Sequence, residues 1–158
     1  MTEKQIEKIL HEIEKFFQMG INEKQAPAKI EVFRKIEKLH PSAIKCFMDG
    51  DDIVSITFAV PTSKELAHKF LSDEVTEREL FALSQPMEHY SAIYFYIAFT
   101  IRPYRGRGLT AKMFEESVRE IPHTEDAIFL SWPSSDAGNK VLDKVASEMG
   151  ITIHRKPR

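Results

Sequence analysis

The stretch that decides the fold is residues 93–120, IYFYIAFTIRPYRGRGLTAKMFEESVRE. Its first part is apolar and rich in aromatic and β-branched residues, which is typical of a buried strand. Its second part repeats apolar residues at helical spacing, which predicts an α-helix to about Glu120. Gly106 and Gly108 stand at the junction. The stretch therefore predicts a strand, a glycine turn and a helix in immediate succession.

A turn of this kind can bind a phosphate or a diphosphate. Glycine permits positive φ and lets a ligand approach the backbone closely. Successive N–H groups of the turn form a concave anion site beside the positive end of the helix dipole. Hydrogen bonds to a charged oxygen contribute about 1.5–3 kcal/mol each. Arg105 and Arg107 add positive charge. A purely structural glycine turn is the alternative interpretation.

Residues 106–111, GRGLTA, also fit the fingerprint of dinucleotide-binding folds. That fingerprint requires an acidic residue at the end of the following strand, to bind the ribose. The next predicted strand ends at Trp132 and Pro133, whereas Asp126 precedes it. Too little sequence follows the fingerprint for a doubly wound sheet. These observations weigh against a nicotinamide or flavin fold.

Composition limits the class of protein. The chain has 158 residues, 42% hydrophobic and 29% charged, which predicts one globular domain over 1–158. A net charge of −2 weighs against a nucleic-acid partner. The chain has no apolar run of membrane-spanning length and no signal-peptide core, so we expect a soluble cytoplasmic protein. The single cysteine, Cys46, is expected to be a buried hydrophobe, with a catalytic role as the alternative.

The N-terminal segment, residues 1–40, is predicted to be helical. One amphipathic helix is expected to end near Gly20, and a second to run from Pro27 to His40. The apolar side of the first helix is either part of the core or a contact in a homodimer.

A β-hairpin is predicted next. Its strands are Ser42–Met48 and Ile53–Val60, joined by a turn at Asp49–Asp52 and ended by Pro61. The three aspartates of the turn have no partner cluster in the sequence. We therefore interpret them as a solvated turn and expect no metal site.

Two capping-box patterns predict a helical insertion over 62–89. Thr62 precedes Glu65 by three residues, and Thr76 precedes Glu79 by three. The expected helices cover about 63–71 and 77–83.

The longest predicted strand is Ala92–Ile101, with Tyr94 and Tyr96 on the face opposite Phe95 and Ile97. A second strand, at 127–132, is apolar throughout and is therefore expected at the centre of the sheet. A final helix should end at Gly150, before a short strand over 151–154. We therefore expect an α/β fold with a mixed, mostly antiparallel central sheet flanked by helices.

Residues 105–110, RGRGLT, resemble the Gln/Arg-x-x-Gly-x-Gly/Ala signature of the GNAT family of N-acetyltransferases. Thr110 replaces the last small residue of that signature. Residues 101–104 resemble the lead-in to it, one residue shorter, and Asn139 with Gly150-Ile151 resembles a second block near the end of such domains. The resemblance covers about 44–153.

The resemblance implies a site for acetyl-CoA. The turn amides would bind the diphosphate, the end of the preceding strand would pair with the pantetheine arm, and Asn139 would reach the same arm. The strands at 92–101 and 127–132 would splay apart to admit the thioester. The implied cofactor-binding residues are Phe99, Thr100, Ile101, Arg105, Gly106, Arg107, Gly108, Leu109, Thr110 and Asn139.

The implied reaction is transfer of an acetyl group to an amine of a small molecule or peptide by direct attack. A base must keep the amine neutral, and the candidates are Glu88, His89, Tyr94 and Tyr96. The family often has a tyrosine acid where this chain has Ala146. A catalytically weak acyl-CoA-binding or sensor module is therefore an alternative. An interaction protein that uses its N-terminal helix is another.

Overall fold

The computed structural model describes residues 1–17 and 23–157. These residues form an α/β fold with one five-stranded mixed sheet. The helices are α1 (Glu3–Phe17), α2 (Ile30–Leu39), α3 (Lys64–Leu71), α4 (Glu77–Leu83), α5 (Leu109–Glu120) and α6 (Asp136–Met149). The strands are β1 (Ile44–Asp49), β2 (Asp52–Thr62), β3 (Tyr90–Thr100), β4 (His123–Ser131) and β5 (Ile153–Arg155). Short 3-10 turns cover Pro41–Ala43 and Arg102–Tyr104.

The strands follow one another across the sheet in chain order. β1, β2 and β3 are antiparallel neighbours, whereas β4 is parallel to β3 and β5 is parallel to β4. The expected mixed sheet is confirmed, but half of its pairings are parallel, so it is not mostly antiparallel. Helices α5 and α6 are the cause. Each returns the chain to the edge of the sheet where the preceding strand began, so the next strand runs in the same direction.

The two faces of the sheet are covered by different helices. On one face, α1 to α4 contribute apolar side chains to a large core that includes Ile13, Phe33, Phe70 and Leu80. On the other face, α5 and α6 form a smaller core. β4 lies between β3 and β5, so it is an interior strand, but the central strand is β3. The first four residues of β4, at 123–126, are polar, and only its second half is the apolar stretch that predicted a central position.

A β-bulge in β3 changes which side chains share a face. Phe58 of β2 pairs with Ile97, but the next residue, Ala59, pairs with Phe95, so Tyr96 is an extra residue. Ile97 therefore lies on the same face as Tyr94 and Tyr96, in the larger core. The prediction that Ile97 lies opposite them was wrong, because simple alternation does not hold across a bulge.

Pro61 lies inside β2 and does not end it. β1 pairs with β2 only as far as Phe58, so the side of β2 beyond that point has no β1 partner. The missing N–H of Pro61 therefore costs no hydrogen bond to β1.

The helix starts also differ from two of the sequence predictions. α2 begins at Ile30 and not at Pro27, and α3 is capped by the hydroxyl of Ser63 and not by Thr62. The capping box of Thr76 and Glu79 is confirmed. Gly20, the expected end of the first helix, lies outside the described residues.

None of the helices in the described ranges is long and apolar enough to cross a membrane.

The N-terminal helices share one core with the sheet, which can be tested by truncating Phe33. Phe33 of α2 is 1% exposed, and its ring lies 5.9 Å from that of Phe58 in β2. We expect Phe33→Ala to lower the free energy of unfolding by about 3–5 kcal/mol. Urea unfolding should remain a single transition. Phe47→Ala, at an exposed position of β1, is the control and should cost far less. An equally small loss at both positions would show that α2 is not part of the folding unit.

Candidate functional site

The helix that follows the glycine turn, α5, has no side-chain cap at its start in the described part of the chain. Gly106 and Gly108 have φ of 81° and 71°, and Gly108 is the N-cap residue of α5. No side chain among the described residues caps α5, whereas the hydroxyl of Ser135 caps α6. The first amides of a helix have no partner within it. The start of α5 therefore presents several N–H groups, with the helix dipole behind them, to any anion in front of the turn.

The two arginines of the turn are held beside it. Arg105 donates from Nε to the carbonyl of Thr100 at 2.8 Å, and its guanidinium lies 5.0 Å from the centre of the Phe16 ring. The guanidinium of Arg107 lies 5.0 Å from the centre of the Tyr104 ring, and the Tyr104 hydroxyl donates to Asp49. Both arginines therefore add positive electrostatic potential at the turn while their guanidinium groups contact aromatic rings.

A lysine from α6 lies over the turn. A Cβ atom placed on Gly108 would be 3.1 Å from Nζ of Lys144. Lys144 also counteracts part of the rise in the pKa of Glu115, which burial and the neighbouring Glu148 produce. Lys144 lies 36 positions after Gly108 and belongs to no motif, so the sequence alone does not indicate it.

The pairing of β3 with β4 stops halfway along β3. The last paired residues are Phe95 and Ser131, and the Ser131 hydroxyl donates to the Phe95 carbonyl at 2.7 Å. β3 continues to Thr100, whereas β4 ends at Ser131. A gap therefore opens beside the last five residues of β3.

This gap belongs to a cavity of about 410 Å³, a typical size for a ligand site. It is lined by the glycine turn and the start of α6, and also by Phe16, Phe17, Gln25, Glu77 and Tyr96. Phe16 lies next to the turn, because its ring contacts the Arg105 guanidinium.

The cavity passes from one face of the sheet to the other. Its walls include Phe95, Ala98 and Phe114, which lie on the α5/α6 side, and Tyr96 and Phe99, which lie on the side of α1 to α4. A ligand bound at the turn can therefore extend between the strands toward a second ligand on the opposite face.

The backbone of β3 faces the cavity at alternate residues. The amide of Ile101 donates to Val54 of β2 at 2.9 Å, so it is used by the sheet. Neighbouring residues of a strand direct their backbone groups to opposite sides. Ala98 and Thr100 are therefore the residues whose main chain faces the gap, and the Thr100 carbonyl accepts from Arg105.

The structure brings most of the predicted cofactor-binding residues together. Eight of them line the cavity: Phe99, Thr100, Arg105, Gly106, Arg107, Gly108, Leu109 and Thr110. Ile101 and Asn139 do not. The Asn139 side chain donates to the carbonyl of Ser135 at 3.2 Å and accepts from Arg155 at 2.9 Å, so both of its polar atoms are engaged within the protein.

Of the four candidate bases, only Tyr96 lines the cavity. Glu88 and His89 are exposed ahead of β3, at the end remote from the gap. Tyr94 is fully buried, and its hydroxyl donates to Glu77. The structure therefore brings neither Glu88 nor His89 to the cavity.

Glu77 is a buried carboxylate in the cavity wall that the sequence analysis did not single out. It is 2% exposed and accepts from the Ala26 amide at 2.9 Å and from the Tyr94 hydroxyl. The Tyr96 hydroxyl donates to the Ala26 carbonyl at 2.5 Å. In the sequence, Glu77 is simply the first residue of a capped helix, where an acidic residue is expected in any case.

Burial, and then the charge of Glu77, raise the pKa of Tyr96 well above its ordinary value of 10, while Arg78 opposes the rise. Its phenol therefore stays protonated at neutral pH and acts as a hydrogen-bond donor, not as a base.

Ala146, at the position where the resemblance implies a tyrosine acid, packs against the smaller core and does not line the cavity. The structure therefore places no proton donor at that position of α6.

Comparisons with protein-family models, with curated proteins and with solved structures give no match to this chain.

The raised pKa of Tyr96 predicts a loss of stability in alkali. Above pH 10 the unfolded chain loses the phenol proton while the folded chain keeps it, so the free energy of unfolding decreases as the pH rises through this range. Below pH 10 the phenol is protonated in both states, so its contribution to the free energy of unfolding is fully present. Tyr96→Phe should show a shallower decrease between about pH 10 and about pH 11.5 in urea unfolding. Equal slopes for the two proteins would contradict the burial of the phenol.

Proposed function

We propose that this protein is an N-acetyltransferase of the GNAT type, which transfers the acetyl group of acetyl-CoA to an amine. The observation that carries the proposal is the course of the cavity. It begins at the uncapped start of α5 and passes between β3 and β4 to the opposite face of the sheet. A cofactor with a diphosphate and a long thioester arm has the shape and charge that this course requires.

The cofactor would bind by its anionic end at the glycine turn. Amides from Gly106 to Ala111 would donate to the diphosphate, and Lys144 would supply a cation over Gly108. The arm would then follow β3, where Ala98 and Thr100 present backbone groups to the gap. The acyl group would reach the bulge at Tyr96, where the two faces of the sheet communicate.

Transfer would proceed by direct attack on the thioester. The amine nitrogen bonds to the carbonyl carbon, the carbon–sulfur bond breaks, the nitrogen loses a proton and the sulfur gains one. Holding both reactants in one cavity removes much of the entropic barrier. A strand amide facing the gap would stabilise the developing oxyanion. With Ala146 in α6, the thiolate would take its proton from the attacking nitrogen or from water.

The alternative is a module that binds acyl-CoA without efficient transfer. It is favoured by Ala146, and by Asn139, whose polar atoms are engaged by Ser135 and Arg155. Both functions require coenzyme A to bind. Only the transferase releases free thiol when acetyl-CoA is mixed with a panel of primary amines, so thiol release distinguishes them.

Gly108 provides the test of the diphosphate site. A leucine there would have strained backbone geometry, and its Cβ would displace Lys144. We expect Gly108→Leu to weaken binding of coenzyme A at least about a hundredfold in calorimetry, because two or more amide hydrogen bonds are lost.

Gly50→Leu is the matched control. Gly50 also has positive φ, of 61°, but it lies in the β1–β2 turn, with open space around its Cβ position. Each substitution should cost stability of the order of 1–2 kcal/mol. Gly50→Leu should bind coenzyme A normally. Normal binding by Gly108→Leu would remove the basis of the proposal.

Lys144 should account by itself for about half of this loss in binding free energy. We expect Lys144→Ala to weaken coenzyme A about tenfold and to reduce the dependence of binding on salt. Lys140→Ala, at an exposed position of the same helix outside the cavity, should have little effect. Equal effects of the two substitutions would show that Lys144 acts only through the net charge of the protein and makes no specific contact with coenzyme A.

A further inference from the structure

The first strand of the sheet has one unpaired edge. β1 pairs with β2 on one side, and no strand in the described ranges pairs with it on the other. β1 has six residues, whereas β5, at the opposite edge of the sheet, has three. The N–H and C=O groups along such an edge can pair with a strand of another chain. β1 therefore offers the longer of the two edges for association.

The second half of β1 exposes apolar side chains to solvent. Phe47 and Met48 are 44% and 37% exposed, and Asp49 is exposed beside them. The preceding residue, Cys46, is half-buried, and its sulfur lies 3.6 Å from that of Met1, which is also exposed. The edge thus carries an apolar surface, and an exposed apolar edge strand favours association.

The sequence of β1 is complementary to itself when two copies run antiparallel. With Phe47 opposite its counterpart in a second copy, Lys45 lies opposite Asp49. Cys46 then lies opposite Met48. Successive side chains of a strand alternate between the two faces of the sheet. One face of the strand pair therefore carries two phenyl rings between two pairs of opposite charge, and the other face carries only sulfur-containing side chains.

The alternation within β1 is regular, so this pattern holds along the strand. Phe47 pairs with Ser55 of β2, and the next residue, Met48, pairs with Ile53. The extra residue of this bulge is therefore Val54 and belongs to β2. β1 keeps the straight edge that a second copy requires.

The two charged side chains have hydrogen-bonding capacity beyond their contacts within the chain. Lys45 donates to both oxygens of the Glu120 carboxylate, at 2.7 and 2.9 Å, and an ammonium group has three donors. Asp49 accepts from the Tyr104 hydroxyl through one oxygen and can accept through the other. Exposed ion pairs contribute at most about 1 kcal/mol each, so these pairs select the register more than they add affinity.

The apolar side of α1, the other surface that could form a homodimer contact, is already used by the core. Its four buried residues all belong to the larger core: Ile6, Ile9, Leu10 and Ile13. A contact between copies must therefore use another surface, and the edge of β1 is the one with a self-complementary sequence.

We propose that this protein forms a twofold symmetric dimer in which the β1 strands of two copies pair antiparallel about Phe47. The two five-stranded sheets then form one continuous sheet. The proposal does not depend on the transferase function. A single pair of short strands lies at the low end of interface sizes, so we expect a weak dimer with a dissociation constant of roughly 10–100 μM.

Sedimentation of the wild-type protein over a concentration series is the first test. In reducing buffer, the average mass should rise from that of the monomer toward that of the dimer between about 5 and about 500 μM. A mass that stays at the monomer value up to about 1 mM would overturn the proposal.

A cysteine at position 47 tests the register. The Cα atoms of directly opposed residues in antiparallel strands lie about 4.5–5.5 Å apart, which is within the range that a disulfide spans. In a Cys46→Ser background, we therefore expect Phe47→Cys to form a disulfide-linked dimer under mild oxidation.

Asp51→Cys in the same background is the control for the cross-link. Asp51 is exposed in the β1–β2 turn, and its two copies lie far apart when the strands pair about Phe47. We expect no cross-link at this position. Equal cross-linking at positions 47 and 51, or none at position 47, would overturn the proposal.

The charge pairing is tested by Asp49→Lys. This substitution places a lysine opposite Lys45 on both sides of the twofold axis, so it should weaken the dimer about tenfold or more. Asp51→Lys makes the same change in net charge outside the strand pair and should dimerise within about twofold of the wild type. Melting temperatures measured at monomeric concentrations show that both variants are folded. A folded Asp49→Lys protein that dimerises as the wild type does, or an equal loss in both variants, would overturn the proposal.

Discussion

The end of β3–β4 hydrogen bonding at Phe95 and Ser131 is the constraint on which the site depends. A parallel pair that continued to Thr100 would close the sheet and leave the glycine turn as a surface feature. Because the Ser131 hydroxyl donates to the Phe95 carbonyl, the last pair is secured at the point where the strands separate. The bulge at Tyr96 follows directly and shifts the alternation of β3. Backbone groups of Ala98 and Thr100 therefore face the gap.

The two sides of that gap are chemically different because different helices supply them. α5 and α6 bring backbone amides, a dipole and Lys144. α1 and α4 bring the rings of Phe16 and Phe17 and the carboxylate of Glu77. A buried carboxylate is costly unless several donors satisfy it, and the contacts with Ala26 and Tyr94 do so while tying α4 to the segment before α2.

The sequence predicted those parts of the site that depend on local physics. Positive φ at Gly106 and Gly108, the start of α5 and the hydrophobic character of β3 and β4 follow from neighbouring residues, and the structure has them. Features that depend on distant residues were missed or misplaced. Lys144 reaches Gly108 only through the packing of α6 on α5, and Glu77 enters the cavity only because α4 packs beside β3. Ile97 was placed on the wrong face because one inserted residue reverses the alternation. Glu88 and His89 are close to β3 in sequence but lie at the end of the strand remote from the gap.

Amide hydrogen exchange over residues 106–111, with and without saturating coenzyme A, tests the central claim most directly. These amides lie at the start of α5, where the first N–H groups have no partner within the helix, so they should exchange fast in the free protein. The account predicts that bound coenzyme A slows them markedly, because they donate to the diphosphate. Saturation with coenzyme A that leaves exchange over 106–111 unchanged, or that slows exchange only elsewhere, would contradict it.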